Sequence, residues 1–135
     1  MTCSSSPLVA GPTLTLYRGA RGKRRWRAWL SPGVPLRLRV NHVRLLVTIS
    51  RDVGADADIV ARLDSSDATQ IEIDAEPNDS FFTTHFAPSL FTDLPESEYN
   101  YVLWAYADDG DGDPYPLTLT SKLEVVELIG PVSLE

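Results

Sequence analysis

The chain has 135 residues, 43% hydrophobic and 23% charged, with a formal net charge of −7. That balance suits one folded domain and argues against disorder over most of the length. Cys3 is the only cysteine, which excludes an internal disulfide, and no run approaches the roughly 18 apolar residues of a membrane-spanning helix.

Residues 1–12 hold Ser4, Ser5, Ser6, Pro7, Gly11 and Pro12, and this composition predicts a flexible N-terminal arm. The start lacks a basic region followed by an apolar run, so neither a signal peptide nor an anchor is expected. Leu14 and Leu16 open a first strand, and Gly19 and Gly22 then loosen the chain. In residues 23–30, KRRWRAWL, alternation puts Arg24, Trp26, Ala28 and Leu30 on one side and Arg25, Arg27 and Trp29 on the other. Ser31-Pro32-Gly33 reads as a turn. Leu36, Leu38 and Val40, opposed by Arg37, Arg39 and Asn41, predict a strand. Val43, Leu45, Val47 and Ile49 predict another, the most buried part of the N-terminal half.

Residues 52–58 read as a loop. Residues 59–63 and 69–74 read as short strands joined by a turn at 64–67, where Asp and Ser bond their own backbone. A turn at 76–80 leads to an aromatic strand at 81–86, and residues 87–93 admit one helical turn around Ser89. The rest of the chain is organised around residues 94–112, LPESEYNYVLWAYADDGDG. Tyr99, Tyr101, Leu103, Ala105 and Ala107 fall on one face, with Asn100, Val102, Trp104 and Tyr106 on the other. A tyrosine just after a Leu-Pro corner is the arrangement of the tyrosine corner. An acidic turn at 108–113 and renewed alternation over 115–128 predict a hairpin of two long strands. Short strands with regular turn signals and no internal repeat predict an all-β fold: a single immunoglobulin-like β-sandwich over residues 13–130, with the arm at 1–12 and a tail at 131–135.

Residues 1–51 carry ten Lys or Arg and no acid, whereas residues 52–135 carry two basic residues and all nineteen acids. Either the two halves neutralise each other inside one molecule, or a basic surface on one copy meets an acidic surface on a neighbour. The cluster of Arg24, Arg25, Arg27 and Trp29 has three readings: core and edge residues, a protein hot spot, or a single-stranded nucleic-acid surface. The acidic remainder would repel phosphate, so no nucleic-acid partner is expected. His42 and His85 stand alone, without a second ligand at metal spacing. Asp108, Asp109, Asp111 and Asp113 are the one plausible calcium cluster, but Pro114 stands where the calcium loop needs glycine and Thr120 where it ends in glutamate, so a solvated hairpin tip is the simpler reading. No nucleophile elbow or phosphate-cradling loop appears, so neither an enzyme nor a cofactor is expected.

Two family resemblances arise from these residues. LPESEYNYVLWAYADDG resembles the late strands of a fibronectin type III domain. That resemblance implies an extracellular protein- or glycan-binding module with Tyr115, Tyr106 and Trp104 as its platform. The second covers residues 16–126. Gly33-Val34-Pro35-Leu36, the aliphatic strand from Val43, Leu94-Pro95, the Tyr99–Leu103 strand and the acidic glycine hairpin together resemble the immunoglobulin-like module of tailed-phage baseplate upper proteins and related small virion proteins. Here Glu98 replaces the glycine common before that tyrosine. This resemblance implies a non-enzymatic virion component of baseplate, tail, neck or capsid surface, assembled with other phage virion proteins, and no membrane partner. Its copies would form a homo-oligomer or follow virion symmetry. The contacts it implies are Arg24, Arg25, Arg27 and Trp29 on one side and Asp108, Asp109, Asp111 and Asp113 on the other.

Overall fold

The computed structural model describes residues 9–53, 57–107 and 115–127. Period-two alternation of apolar and polar side chains places its strands. In chain order they are β1 (Val9–Ala10), β2 (Leu14–Tyr17), β3 (Gly22–Arg27), β4 (Trp29–Ser31), β5 (Val34–Pro35), β6 (Val43–Ser50), β7 (Ile59–Asp64), β8 (Ile71–Ile73), β9 (Phe81–Phe86), β10 (Glu98–Ala107), β11 (Tyr115–Pro116), β12 (Thr118–Leu119) and β13 (Ser121–Val126). The larger sheet runs β2-β13-β10-β6-β7, with β11 also on β10, and the smaller runs β3-β9-β8. That division, with β7 extending the sheet of β6, β10 and β13, is the order of an immunoglobulin-like sandwich with a variable-type extra strand.

The core lies between the two sheets. The larger sheet contributes Leu45, Val47, Ile49, Tyr99, Tyr101, Leu103, Ala105, Leu123 and Val125, and the smaller contributes Ile71, Phe82 and Phe86, all buried. Trp26 of β3 stacks on Phe82 at 6.2 Å and meets Tyr101 edge-on at 6.1 Å. In immunoglobulin domains a cysteine bridged to the opposite sheet stands two residues after the corner tyrosine. Here that position is Tyr101, and the link across the sheets is the aromatic contact with Trp26. At the corner, the Tyr99 hydroxyl donates to Glu96 Oε1 at 2.9 Å. Arg18 donates to the carbonyls of Phe91, Leu94 and Glu96, fastening the 91–96 loop to the end of β2.

Several local expectations change. Residues 9–12, expected within the flexible arm, are held: β1 pairs in parallel with β12, the Gly11 N–H donates to Ser121 Oγ at 2.7 Å, and the Pro12 carbonyl accepts the Tyr101 hydroxyl at 2.5 Å. Gly11 permits this approach because a Cβ there would collide with the Tyr101 hydroxyl. The rest of the arm, 1–8, and the tail 131–135 lie outside the described residues.

The strand expected over 23–30 breaks at Ala28, whose N–H bonds the Ser80 carbonyl and whose carbonyl accepts from Leu36. Leu30 is therefore turned out, 61% exposed, and not on the face of Trp26. Residues 36–41 form no strand and the chain turns over 38–42, because the buried carboxylate of Asp79 takes the N–H groups of Arg39 and Val40 that a ladder would use. Residues 88–93 are turns without a helix. Ala107 is exposed at the end of β10. The second arm of the long hairpin splits into β11, β12 and β13. Pro116 lacks an N–H, Leu117 N–H bonds the Leu103 carbonyl, and Thr118 Oγ1 accepts from Leu103 N–H, so the register breaks there. The 64–67 turn is as expected, with Asp64 and Asp67 carboxylates accepting the N–H groups of Ser66 and Thr69.

A candidate protein-docking face on the third strand

β3 is an edge strand. β9 pairs with one side of it, and no strand pairs with the other among the described residues. Which backbone groups are left over follows from the register. Ala28 bonds Ser80, and Trp26↔Phe82 and Arg24↔Thr84 stand in the same phase, while Phe81 and His85 turn their backbone bonds toward the β8 side. The N–H and C=O groups of Lys23, Arg25 and Arg27 consequently face the open edge.

Side chains complete the surface. On the outer face the Phe81 ring lies between two guanidinium groups, Arg25 at 4.5 Å and Arg27 at 4.7 Å, and Arg27 also covers the Trp29 ring at 4.6 Å. Arg24 covers the rim of Trp26 at 5.1 Å. Planar guanidinium groups stack on aromatic faces in this way at little solvation cost. Beyond Arg27 the chain makes the β4–β5 hairpin, turned by Pro32 and by Gly33, whose φ of 79° is the left-handed value a type II turn needs. The hairpin leaves Trp29 43%, Leu30 61% and Val34 46% exposed. Cations, aromatic rings and an apolar projection thus lie side by side.

Electrostatics separates this face from the rest of the basic half. Arg18 pairs with Glu127, Arg25 with Asp74, Arg37 with Glu76 and Asp79, Arg44 with Asp64, and Arg51 with Asp58 and Glu96. Intramolecular neutralisation therefore accounts for part of the charge split. Arg21, Lys23, Arg24, Arg27 and Arg39 have no carboxylate within ion-pair distance among the described residues, and the first four belong to or adjoin β3. Arg51 matters elsewhere: its hydrogen bond holds the Glu96 carboxyl below the usual carboxylate range, with the Tyr99 hydroxyl adding to the effect.

Arg25, Arg27 and Trp29 are brought together around Phe81, whereas Arg24 lies on the other face of β3, over Trp26. Asp108, Asp109, Asp111 and Asp113 lie outside the described residues. Sequence reasoning missed Phe81, the ring at the centre of the stack, together with Leu30 and Val34. Phe81 carried no signal of its own, because its place opposite Arg27 depends on the β3–β9 register. His42 is exposed with φ of 53° and belongs to another part of the fold, while His85 stands across from Lys23 on β9, with its Nε2 3.4 Å from Glu72. No group of three or more potential metal ligands occurs among the described residues.

Trp104 and Tyr106 sit on the outer face of the larger sheet, bonded to Thr48 Oγ1 at 2.9 Å and to Asp64 Oδ2 at 3.0 Å. The Tyr115 side chain lies outside the described part. An open cleft of about 510 Å³ is lined by Leu38, Arg39, His42, Arg44 and the serines at 65 and 66. Its arginines are held by the Ile73 and Asp74 carbonyls and by the Asp64 carboxylate.

No family model matches this chain, and no curated protein does. Among solved structures, the extracellular domain of the voltage-gated sodium channel beta4 subunit is similar; it is described as forming parallel homodimers that explain a role in cell-cell adhesion. It is 13% identical, the match covers 96% of this chain and 99% of that one, and the TM-score is 0.40, too slight a likeness to carry an assignment.

Proposed function

We propose that this chain is a non-catalytic assembly module that docks a protein partner on the β3 edge and the β4–β5 hairpin. One observation supports this most: a strand edge whose Lys23, Arg24 and Arg27 lack carboxylate partners among the described residues runs into exposed Trp29, Leu30 and Val34. Trp and Arg in such a setting are the residues that dominate binding at interfaces, worth about 2 kcal/mol or more each at a hot spot. Within this reading the chain is a structural protein of a tailed-phage virion. The support is the motif likeness, and its Gly33-Val34-Pro35 step is the turn and return strand of the exposed hairpin. Copies would follow the particle's symmetry, basic face against acidic residues, and we assign that acidic role to Asp108, Asp109, Asp111 and Asp113, which lie outside the described residues.

Mass spectrometry of particles purified from the source culture, calibrated on the major capsid protein, tests the virion placement. A copy number of about six to a few tens is expected for a neck, tail or baseplate ring, and hundreds for a capsid decoration. Absence from the particles would overturn it. Trp104 and Tyr106, side by side on the open face of the larger sheet, would then favour an extracellular binding module that uses that face.

A further inference from the structure

We infer that the occupant of the β3 edge is an extended acidic segment of a partner chain, added to the smaller sheet as a fourth strand. The inference rests on the docking reading and specifies its partner. Two independent features lead to it. The backbone groups of Lys23, Arg25 and Arg27 point away from β9 and are met by no strand among the described residues, so they offer the alternating donors and acceptors that strand addition uses. The side chains of the same three residues share one face of the sheet, because they stand at i, i+2 and i+4.

An added strand in register would set alternate side chains beside those cations. Opposite charges at such cross-strand positions attract, and like charges repel. The fitting sequence therefore carries Asp or Glu beside Lys23 and Arg27, Arg25 being paired already with Asp74 at 2.5 Å. Its remaining side chains would fall beside Arg24 and the rim of Trp26, where β-branched residues suit a half-buried strand. The same charges argue against a second copy bound edge to edge, since two β3 strands would bring Lys23, Arg25 and Arg27 against one another. The like-charged edge blocks self-association and admits an acidic strand.

Amide exchange read residue by residue by NMR tests this on the full chain, with the capped peptide TEVEVET as probe and TKVKVKT as control. In the free protein the amides of Lys23, Arg25 and Arg27 should exchange fast and those of Arg24 and Trp26 slowly. Saturating TEVEVET should slow Lys23, Arg25 and Arg27 by about tenfold or more, leaving the control peptide without effect. Salt-sensitive binding of TEVEVET with those three amides unchanged would overturn strand addition while leaving a docking face that works through side chains alone. No binding would overturn the acidic-strand partner. Protection of the three amides in the free protein, rising with its concentration, would overturn it in favour of a second copy.

Discussion

Phe82→Ala is expected to lower the unfolding free energy by about 4 kcal/mol, a large share of the roughly 5–15 kcal/mol that stabilises a domain of this size. Phe82 has no exposed surface and stacks on Trp26, which in turn meets Tyr101 of the opposite sheet. Truncation removes the ring that supports this contact and leaves a cavity that two rigid sheets cannot close. The adjacent Phe81→Ala should cost only about 1 kcal/mol, because that ring is half-buried and lies on the outer face between Arg25 and Arg27. Denaturant unfolding of both variants is the check. Equal losses would contradict the assignment of the two rings to opposite faces of β9.

Asp79→Ala is expected to cost about 3 kcal/mol. The carboxylate is fully buried, bonds the Arg37 guanidinium, and accepts the N–H groups of Arg39 at 3.0 Å and Val40 at 3.2 Å. Alanine would leave those donors and the turn at 38–42 without their organising acceptor. Asp79→Asn keeps an acceptor and should lose less. A pH dependence follows. Burial alone would raise the Asp79 pKa, but the hydrogen bonds from Arg37 and from backbone amides outweigh it and hold the carboxyl below its ordinary range. A group whose folded pKa is depressed contributes stability above its unfolded pKa, about 4, and loses it as the pH falls through the folded value. Unfolding free energy measured from pH 6 downward should therefore fall more steeply in the parent chain than in Asp79→Asn. Parallel curves would remove Asp79 from the account.

The sandwich was largely legible because its central strands alternate without exception. Tyr99 to Ala105 and Leu45 to Ile49 place their buried residues by period two alone, and no helical spacing competes with them. What sequence could not supply were the places where one side chain redirects the backbone. Asp79 is far from residues 36–41 in sequence, so nothing in their alternation reveals that its carboxylate will take their amides. The Ala28 carbonyl is likewise taken from a distance, by the Leu36 N–H, and Leu30 beyond it is left exposed in the β4–β5 hairpin. The basic cluster was visible as composition, and Trp29 as a candidate contact. Its organisation around Phe81 was not, because stacking needs the register of two strands separated by more than fifty residues. The opposed charges of the two halves were visible as well, yet which arginines are neutralised within the molecule depends on the fold.

The most direct test of the docking face is arginine footprinting with phenylglyoxal, comparing the chain in its native particle or extract with the isolated protein. Arg62 is exposed on β7, away from the face, and serves as the internal control. The account predicts that Arg24 and Arg27 are shielded in the native assembly and become reactive on isolation, while Arg62 reacts equally in both. Arg24 and Arg27 reacting as freely as Arg62 in the native assembly would contradict it.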